Sequence, residues 1–447
     1  MNSIEAEVLR NIGNMTLEDY QLKCLREMIH YAKENSLFYR TLLADAPELN
    51  TLADLQKIPF TTHTDLRSVP YKMLCVSLSG VARVFAHFTT GTLGEPKKIF
   101  FSENDVECIV RSMAAITANV IEGAGMAIPG AKVAIYLPNV GQPLSMAEMI
   151  ARGTTLIGGV PFIGSCKDRT ENQINEIVEN RPQVLMGSAF RIWRITQVGR
   201  ESCDLRQAGV KAVFITSEYL SSTMRTRLEK AWGAEVFHHY GMTEPGFAIA
   251  IECGCHTGFH YNESDLYFEV VDPETGTPLG DGEEGELVFT SLRREAMPLI
   301  RYRTGDIASI TRKPCSCGTT LSRIGTLTKK IGLTYRLESG EEIYSSLFDE
   351  ALYELDELID YRLWLNSENG RDHLHCVTEM LGSDPSYSDR VRRQLLTVPA
   401  VANAIQARLM SEPSVEIAPR ETLRRGGRGM KRKIVDTRFE EGAEANG

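Results

Sequence analysis

The sequence predicts an α/β protein of at least two domains: a layered α/β region, a β-rich region behind it, and a small α+β unit at the C-terminus. Three observations carry that prediction. The chain is 447 residues long, more than one hydrophobic core usually holds. From Lys132 onward, short β-branched runs alternate with segments long enough to be helices, which favours a largely parallel sheet between helices. After Phe259 the pattern changes to apolar–polar alternation around Gly, Pro and Asp turns, as antiparallel hairpins require.

In chain order, LEDYQLKCLREMIHYAKENSLFYRTLL (17–43) repeats its apolar residues at helical spacing and predicts one or two amphipathic helices. VARVFAHF and KKIFF read as strands on either side of a Gly/Thr-rich turn, with a helix starting near Glu103. KVAIYL, TTLIGGV, QVLMG and KAVFITS are expected as the strands of the layered region. DLYFEVVDPETGTPLGDGEEGELVFTSL (265–292) is expected to form antiparallel strands. A second change comes near Lys329, where RLESGEEIYSSLFDEALYEL predicts a hairpin and then a helix, and RDHLHCVTEM a further strand. This divides the chain into residues 1–328 and 329–447.

The formal charge is −10, from 49 basic and 59 acidic residues, which argues against a protein whose main task is gripping nucleic acid or an anionic membrane. The first twenty residues hold no apolar segment of signal-peptide length, and no run approaches the roughly 18 apolar residues of a membrane span. A cytoplasmic protein is expected. A homodimer is compatible with the sequence, but no feature establishes it. Of ten cysteines, six are scattered singly; the others form the pairs Cys253/Cys255 and Cys315/Cys317. In a cytosolic protein such pairs suggest metal before disulfide.

The informative stretch is FTTGTLGEPKK, from Phe88 to Lys98. Thr89, Thr90 and Thr92 offer hydroxyl donors, Gly91 and Gly94 let backbone N–H groups approach a polyanion, and Lys97 adds positive charge at the rim. The same pattern also suits a plain Gly/Thr hairpin between two strands. Two further segments bear on that choice. HHYGMTEPG sets Tyr240, Thr243 and Glu244 in one turn, where an aromatic ring can flank a purine, a hydroxyl can meet a phosphate and a carboxylate can hold Mg²⁺. LIRYRTGDIASI sets Asp306 behind a glycine at a strand end, where a carboxylate can accept from both ribose hydroxyls.

Together, in this order and at these separations, the three segments resemble the core signatures of the adenylate-forming superfamily of acyl-CoA synthetases, adenylation domains and luciferase. NSLFYRTLL, LADLQKIPFTTHTDLR and EAMPLIRYRTGD are similar to the phenylacetate–CoA ligase branch. The resemblance implies a large N-terminal domain of layered sheets and helices with a small, mobile C-terminal domain. It implies activation of a carboxylic acid, aromatic and phenylacetate-like, through an acyl-adenylate, with transfer to coenzyme A and release of AMP and pyrophosphate. The alternatives are delivery to a carrier protein or other acceptor, or a non-catalytic homologue. Carried over by position, Thr89 to Gly94 would embrace the ATP phosphates and Ser217, Glu218 and Tyr219 would line the adenine site. Tyr240, Gly241, Met242, Thr243 and Glu244 would cover the adenine and α-phosphate, with Glu244 on Mg²⁺. Asp306 would bind the ribose, helped by Arg323.

The sequence departs from that family at its C-terminal end. The hinge carboxylates of relatives are replaced near Leu333 and Thr334, with Lys329 or Lys330 in place of the arginine. In TLRRGGRGMKRKIVDTR, Met430 follows the glycine where relatives carry the adenylation lysine. Lys431 is the candidate for that role and Lys433 the alternative. Cys253, Cys255, His256 and His260 on one turn and Cys315 and Cys317 on another offer enough borderline and soft ligands for a tetrahedral zinc. The match to relatives favours Cys253, His260, Cys315 and Cys317, with Cys255 or His256 as substitutes, in a β-rich region spanning about residues 250–320. Four protein ligands would close the sphere, so such a zinc is structural.

Overall fold

The computed structural model describes residues 3–87, 97–137, 144–423 and 434–438. Its centre is a nine-stranded sheet. Five strands, Val160–Ile163, Lys132–Tyr136, Val184–Ser188, Ala212–Thr216 and Glu235–Tyr240, run parallel in that spatial order. Val184–Ser188 and Ala212–Thr216 are buried at each position, which is why the sequence shows them as unbroken apolar runs rather than alternations: helices cover both faces. Beyond Glu235–Tyr240 the sheet turns antiparallel through Ala250–Glu252, Phe259–Tyr261, Arg323–Ile324 and Ile310–Thr311.

The elements are started by local chemistry. The helix Glu103–Gly123 opens with a capping box, in which Ser102 accepts from the Asp105 N–H and the Asp105 carboxylate accepts from the Ser102 N–H. The N-terminal helices Leu17–Asn35 and Leu37–Leu42 open on Thr16 and Ser36 caps. One expected strand is corrected. TTLIGGV is the end of the helix Met146–Leu156 and the turn after it, and the strand begins only at Val160. A short apolar run does not distinguish a buried helix end from a buried strand. Here Ser145 caps the helix, and Gly153 lets it lie against Glu103–Gly123 so closely that a side chain at 153 would meet the Ala114 amide at 2.9 Å.

The β-rich region is a four-stranded antiparallel sheet of Leu266–Val271, Gly285–Ser291, Tyr302–Ala308 and Lys329–Lys330. The boundary expected at 329 therefore falls on a strand that still pairs with Tyr302–Ala308. After it come the hairpin Tyr335–Arg336/Glu342–Ile343, the helix Ser345–Leu352 and the strand Arg371–Met380, as the pattern predicts. The last sheet is ordered Ser414–Ile417, Arg371–Met380, Leu358–Glu368, Ile434–Asp436.

This C-terminal unit is seated on the helix Ala189–Gly199 by a continuous buried cluster. Trp193 meets Tyr353 edge-on at 5.1 Å between centroids and donates its indole N–H to the Leu358 carbonyl at 2.9 Å. Burying each such large apolar side chain contributes about 1.5–3 kcal/mol. Arg194 joins the interface as a fully buried cation, 2.7 Å from Glu379 and 3.7 Å from Asp360. Among the described residues no helix is long and apolar enough to cross a membrane.

Candidate active site

An open cleft of about 190 Å³ lies at the C-terminal ends of the central strands, between them, the β-rich sheet and the start of the C-terminal unit. Open parallel sheets place ligands there, because the strand ends splay and loops supply the side chains. Ser217, Glu218 and Tyr219, at the end of strand Ala212–Thr216, line it, as do Tyr240, Gly241, Met242 and Asp306. Ser217 holds φ at +76°, a left-handed conformation unusual for a non-glycine residue. The Glu218 carboxylate accepts from the Phe190 N–H at 3.1 Å, and its carbonyl accepts from His238 Nε2–H at 2.8 Å. The Tyr219 hydroxyl donates to Glu350 of the C-terminal unit at 2.7 Å.

Across the cleft, the Tyr240 hydroxyl donates to Asp306 Oδ2 at 2.8 Å. The strand Tyr302–Ala308 is irregular around Gly305, whose φ is +74°, and brings Tyr302 to Glu244 and Asp306 to Tyr240. Tyr302 donates to Glu244 Oε1 at 3.2 Å. Glu244 is buried and ion-paired with Lys97. Burial alone would raise the Glu244 carboxyl, but the Lys97 ammonium outweighs it and holds the group down at about 2. Thr243 lies in the turn between them, its carbonyl accepting from the Gly246 N–H at 3.1 Å. Thr89, Thr90, Gly91, Thr92 and Gly94, and Lys431 with its alternative Lys433, lie outside the described residues.

One expectation is corrected by position. Arg323 does not line this cleft. Its strand pairs with Phe259–Tyr261, which carries the guanidinium to Thr257 Oγ1 at 2.6 Å, the Lys313 carbonyl at 3.3 Å and Cys315 Sγ at 3.6 Å. The cation beside Asp306 is Lys330, 2.7 Å from Oδ1. Sequence reasoning also missed Tyr302 and Glu350. Its place on the strand that carries Asp306 was the available signal for the first. Nothing local marked the second.

The cysteine turns come together on the antiparallel extension of the sheet. Ligand atoms of Cys253, His260, Cys315 and Cys317 all lie within 4.8 Å of one another. Cys253 Sγ and Cys315 Sγ are 3.7 Å apart, and Cys317 Sγ is 3.5 Å from His260 Nε2. Two thiolates on one tetrahedral zinc at about 2.3 Å would stand roughly 3.8 Å apart, so the four groups fit that ion. The substitutes are engaged elsewhere: His256 turns to Glu252 and Glu235, and Ser316 donates to Cys255 Sγ at 3.2 Å.

Residues 28–292 match the family model described as AMP-binding enzyme. The chain is 29% identical over 403 residues to a phenylacetate–coenzyme A ligase of Thermus thermophilus, covering 85% of each chain. It is 31% identical over 319 residues to the enzyme of the same name from Aromatoleum evansii, covering 68% of this chain and 69% of that one. Among solved structures, a 2-hydroxyisobutyryl-CoA ligase in the postadenylation state superposes with a TM-score of 0.77 at 22% identity, over 94% of this chain and 90% of that one, a likeness of fold. This chain belongs to the AMP-binding enzyme family, in the branch that holds the phenylacetate–coenzyme A ligases.

Proposed function

We propose that this chain is an ATP-dependent acid–coenzyme A ligase acting on an aromatic or similarly compact carboxylic acid. The observation that carries this reading is the cleft lined by Ser217, Glu218, Tyr219, Tyr240 and Asp306, in which Tyr240 is hydrogen-bonded to Asp306, with the buried Glu244 paired to Lys97 on the turn that follows Tyr240. Asp306 is suited to accept from the two ribose hydroxyls, and Tyr240 to flank the base. Ser217, Glu218 and Tyr219 form the opposite wall. Glu244 is a hard oxygen ligand of the kind Mg²⁺ takes, and a bound Mg²⁺ would neutralise phosphate charge. The acid's carboxylate attacks the α-phosphate in line and pyrophosphate leaves, a reaction that needs alignment and charge neutralisation from the protein rather than a covalent residue. In this reading the loop Thr89–Gly94 binds the phosphates and Lys431, or Lys433, assists adenylation.

The acyl-adenylate then passes to the thiol of coenzyme A. Cys253, His260, Cys315 and Cys317 would hold a structural zinc, which would tie the two turns together away from the chemistry. The test is AMP and pyrophosphate formation from ATP across a panel of aryl and aliphatic acids, with and without coenzyme A. AMP formation that needs both acid and coenzyme A is expected. Acid-dependent pyrophosphate exchange without coenzyme A-dependent turnover would replace the acceptor, and silence across the panel would overturn the reading.

A further inference from the structure

The strand Glu235–Tyr240 sends alternate side chains to opposite faces. His238 and Tyr240 turn toward Glu218 and Asp306. His239 and Phe237 turn the other way, Phe237 toward Gly123 and His239 edge-on to Phe214 at 5.5 Å between centroids. His239 is 2% exposed and lines the cleft. Its Nδ1 is hydrogen-bonded with Thr216 Oγ1 at 2.9 Å, while Nε2 is buried with no partner among the described residues.

That nitrogen calls for an explanation, because buried polar atoms are almost always paired. A leucine would fill much of the same space without the penalty. The imidazole is also held in place: a side chain on Gly241 would meet His239 Cε1 at 2.6 Å and the Phe247 carbonyl at 2.4 Å, so ring and backbone are in close contact. Burial, with the neighbouring His238 adding to it, holds the ring neutral, its pKa down at about 3. A neutral imidazole does not recruit a carboxylate by charge. It pairs with a group that donates or accepts.

We infer that His239 Nε2 recognises a hydroxyl on the acyl portion of the substrate, so that this enzyme activates a hydroxy-substituted carboxylic acid in preference to its unsubstituted parent. The inference rests on the ligase reading of the cleft. A hydroxyl fits because Thr216 Oγ1 can donate to Nδ1 or accept from it, leaving Nε2 either protonated or bare, and a hydroxyl complements both. A methyl group or a ring C–H would leave the nitrogen unpaired, and a second charge would be desolvated without a counter-ion. His239 immediately precedes the turn Tyr240–Glu244 and lines the same cleft as Tyr240 and Asp306; in the ligase reading the acyl portion lies against this side of the cleft.

The test is acid-dependent ATP–pyrophosphate exchange by the full chain. Phenylacetate is compared with mandelate and its three ring-hydroxylated isomers, and butyrate with 2- and 3-hydroxybutyrate. In the wild-type protein, one hydroxy acid should exceed its parent in kcat/KM by roughly ten- to a hundredfold, mostly through KM, as a site that loses a hydrogen-bonding partner discriminates. His239→Leu should bring that ratio close to one, and His239→Gln should restore part of it. Should the leucine variant not fold, the wild-type ratio and the glutamine variant still decide. Exchange that favours the parent acid in each pair, or a preference that survives in His239→Leu, would overturn the inference and leave the ligase reading standing. Absence of exchange with every acid would remove both.

Discussion

Lys330 Nζ lies 2.7 Å from Asp306 Oδ1 and also donates to the Thr304 carbonyl at 3.0 Å. A residue from the segment leading into the C-terminal unit thus sits on the carboxylate assigned to the ribose, whose other oxygen is held by Tyr240. Tyr240 stands at the end of a central strand, and Asp306 and Lys330 on neighbouring strands of the β-rich sheet, the second of which leads into the C-terminal unit. On the proposed reading, a nucleotide bound at Asp306 and the strand that leads into the C-terminal unit would meet at one carboxylate.

Asp306→Ala should weaken ATP and AMP binding by roughly ten- to a hundredfold, since hydrogen bonds to a charged group contribute about 1.5–3 kcal/mol. Calorimetric titration measures this directly. Unaltered affinity would take Asp306 out of the nucleotide site.

Glu244 should shape the acid limb of stability. Its folded pKa of about 2 lies below the ordinary 4.5, so the unfolded chain binds the proton more readily and the contribution is present above about 4.5 and lost as pH falls toward 2. Denaturant melts of wild type and Glu244→Gln between pH 2 and pH 6 should converge at the acid end and separate above it. Parallel curves across that range would contradict the Lys97–Glu244 pairing.

Arg194→Ala should destabilise the chain by about 3–5 kcal/mol, because Glu379 and Asp360 would remain buried without their cation. Glu379→Gln in the same background should recover part of that loss, and urea melts of the single and double variants measure it. A loss below about 1 kcal/mol, the size of a surface pair, would mean that the docked interface opens in solution.

The purified protein should carry about one zinc per chain by mass spectrometry, with Cys315→Ser or prolonged chelation removing it and lowering Tm. His256→Ala should leave the zinc in place, since that ring is committed to Glu252 and Glu235. A metal-free preparation of full thermal stability would rule the site out.

Local chemistry made much of this legible in advance. The strand Arg371–Met380 and the helix beginning at Glu103 stand where their patterns put them, because alternation and an N-terminal capping box act over a few residues. The Tyr240–Glu244 turn and Asp306 were recognisable from their neighbours in the chain. TTLIGGV was not, since its apolar run suits a helix end as well as a strand.

The sequence by itself determined the order of motifs, the periodicities of the elements and the family to which they belong, all properties of residues near one another in the chain. Tertiary structure alone decided which of six Cys and His candidates converge, that Arg323 serves the cysteine turns, that Lys330 serves Asp306, and that His239 keeps one nitrogen unpaired. The contacts responsible join residues far apart: 62 positions between Cys253 and Cys315, 66 between Tyr240 and Asp306. Spacing along the chain does not encode such distances. They follow from which strands pair and in what register, and that pairing is settled by burying the whole sheet at once.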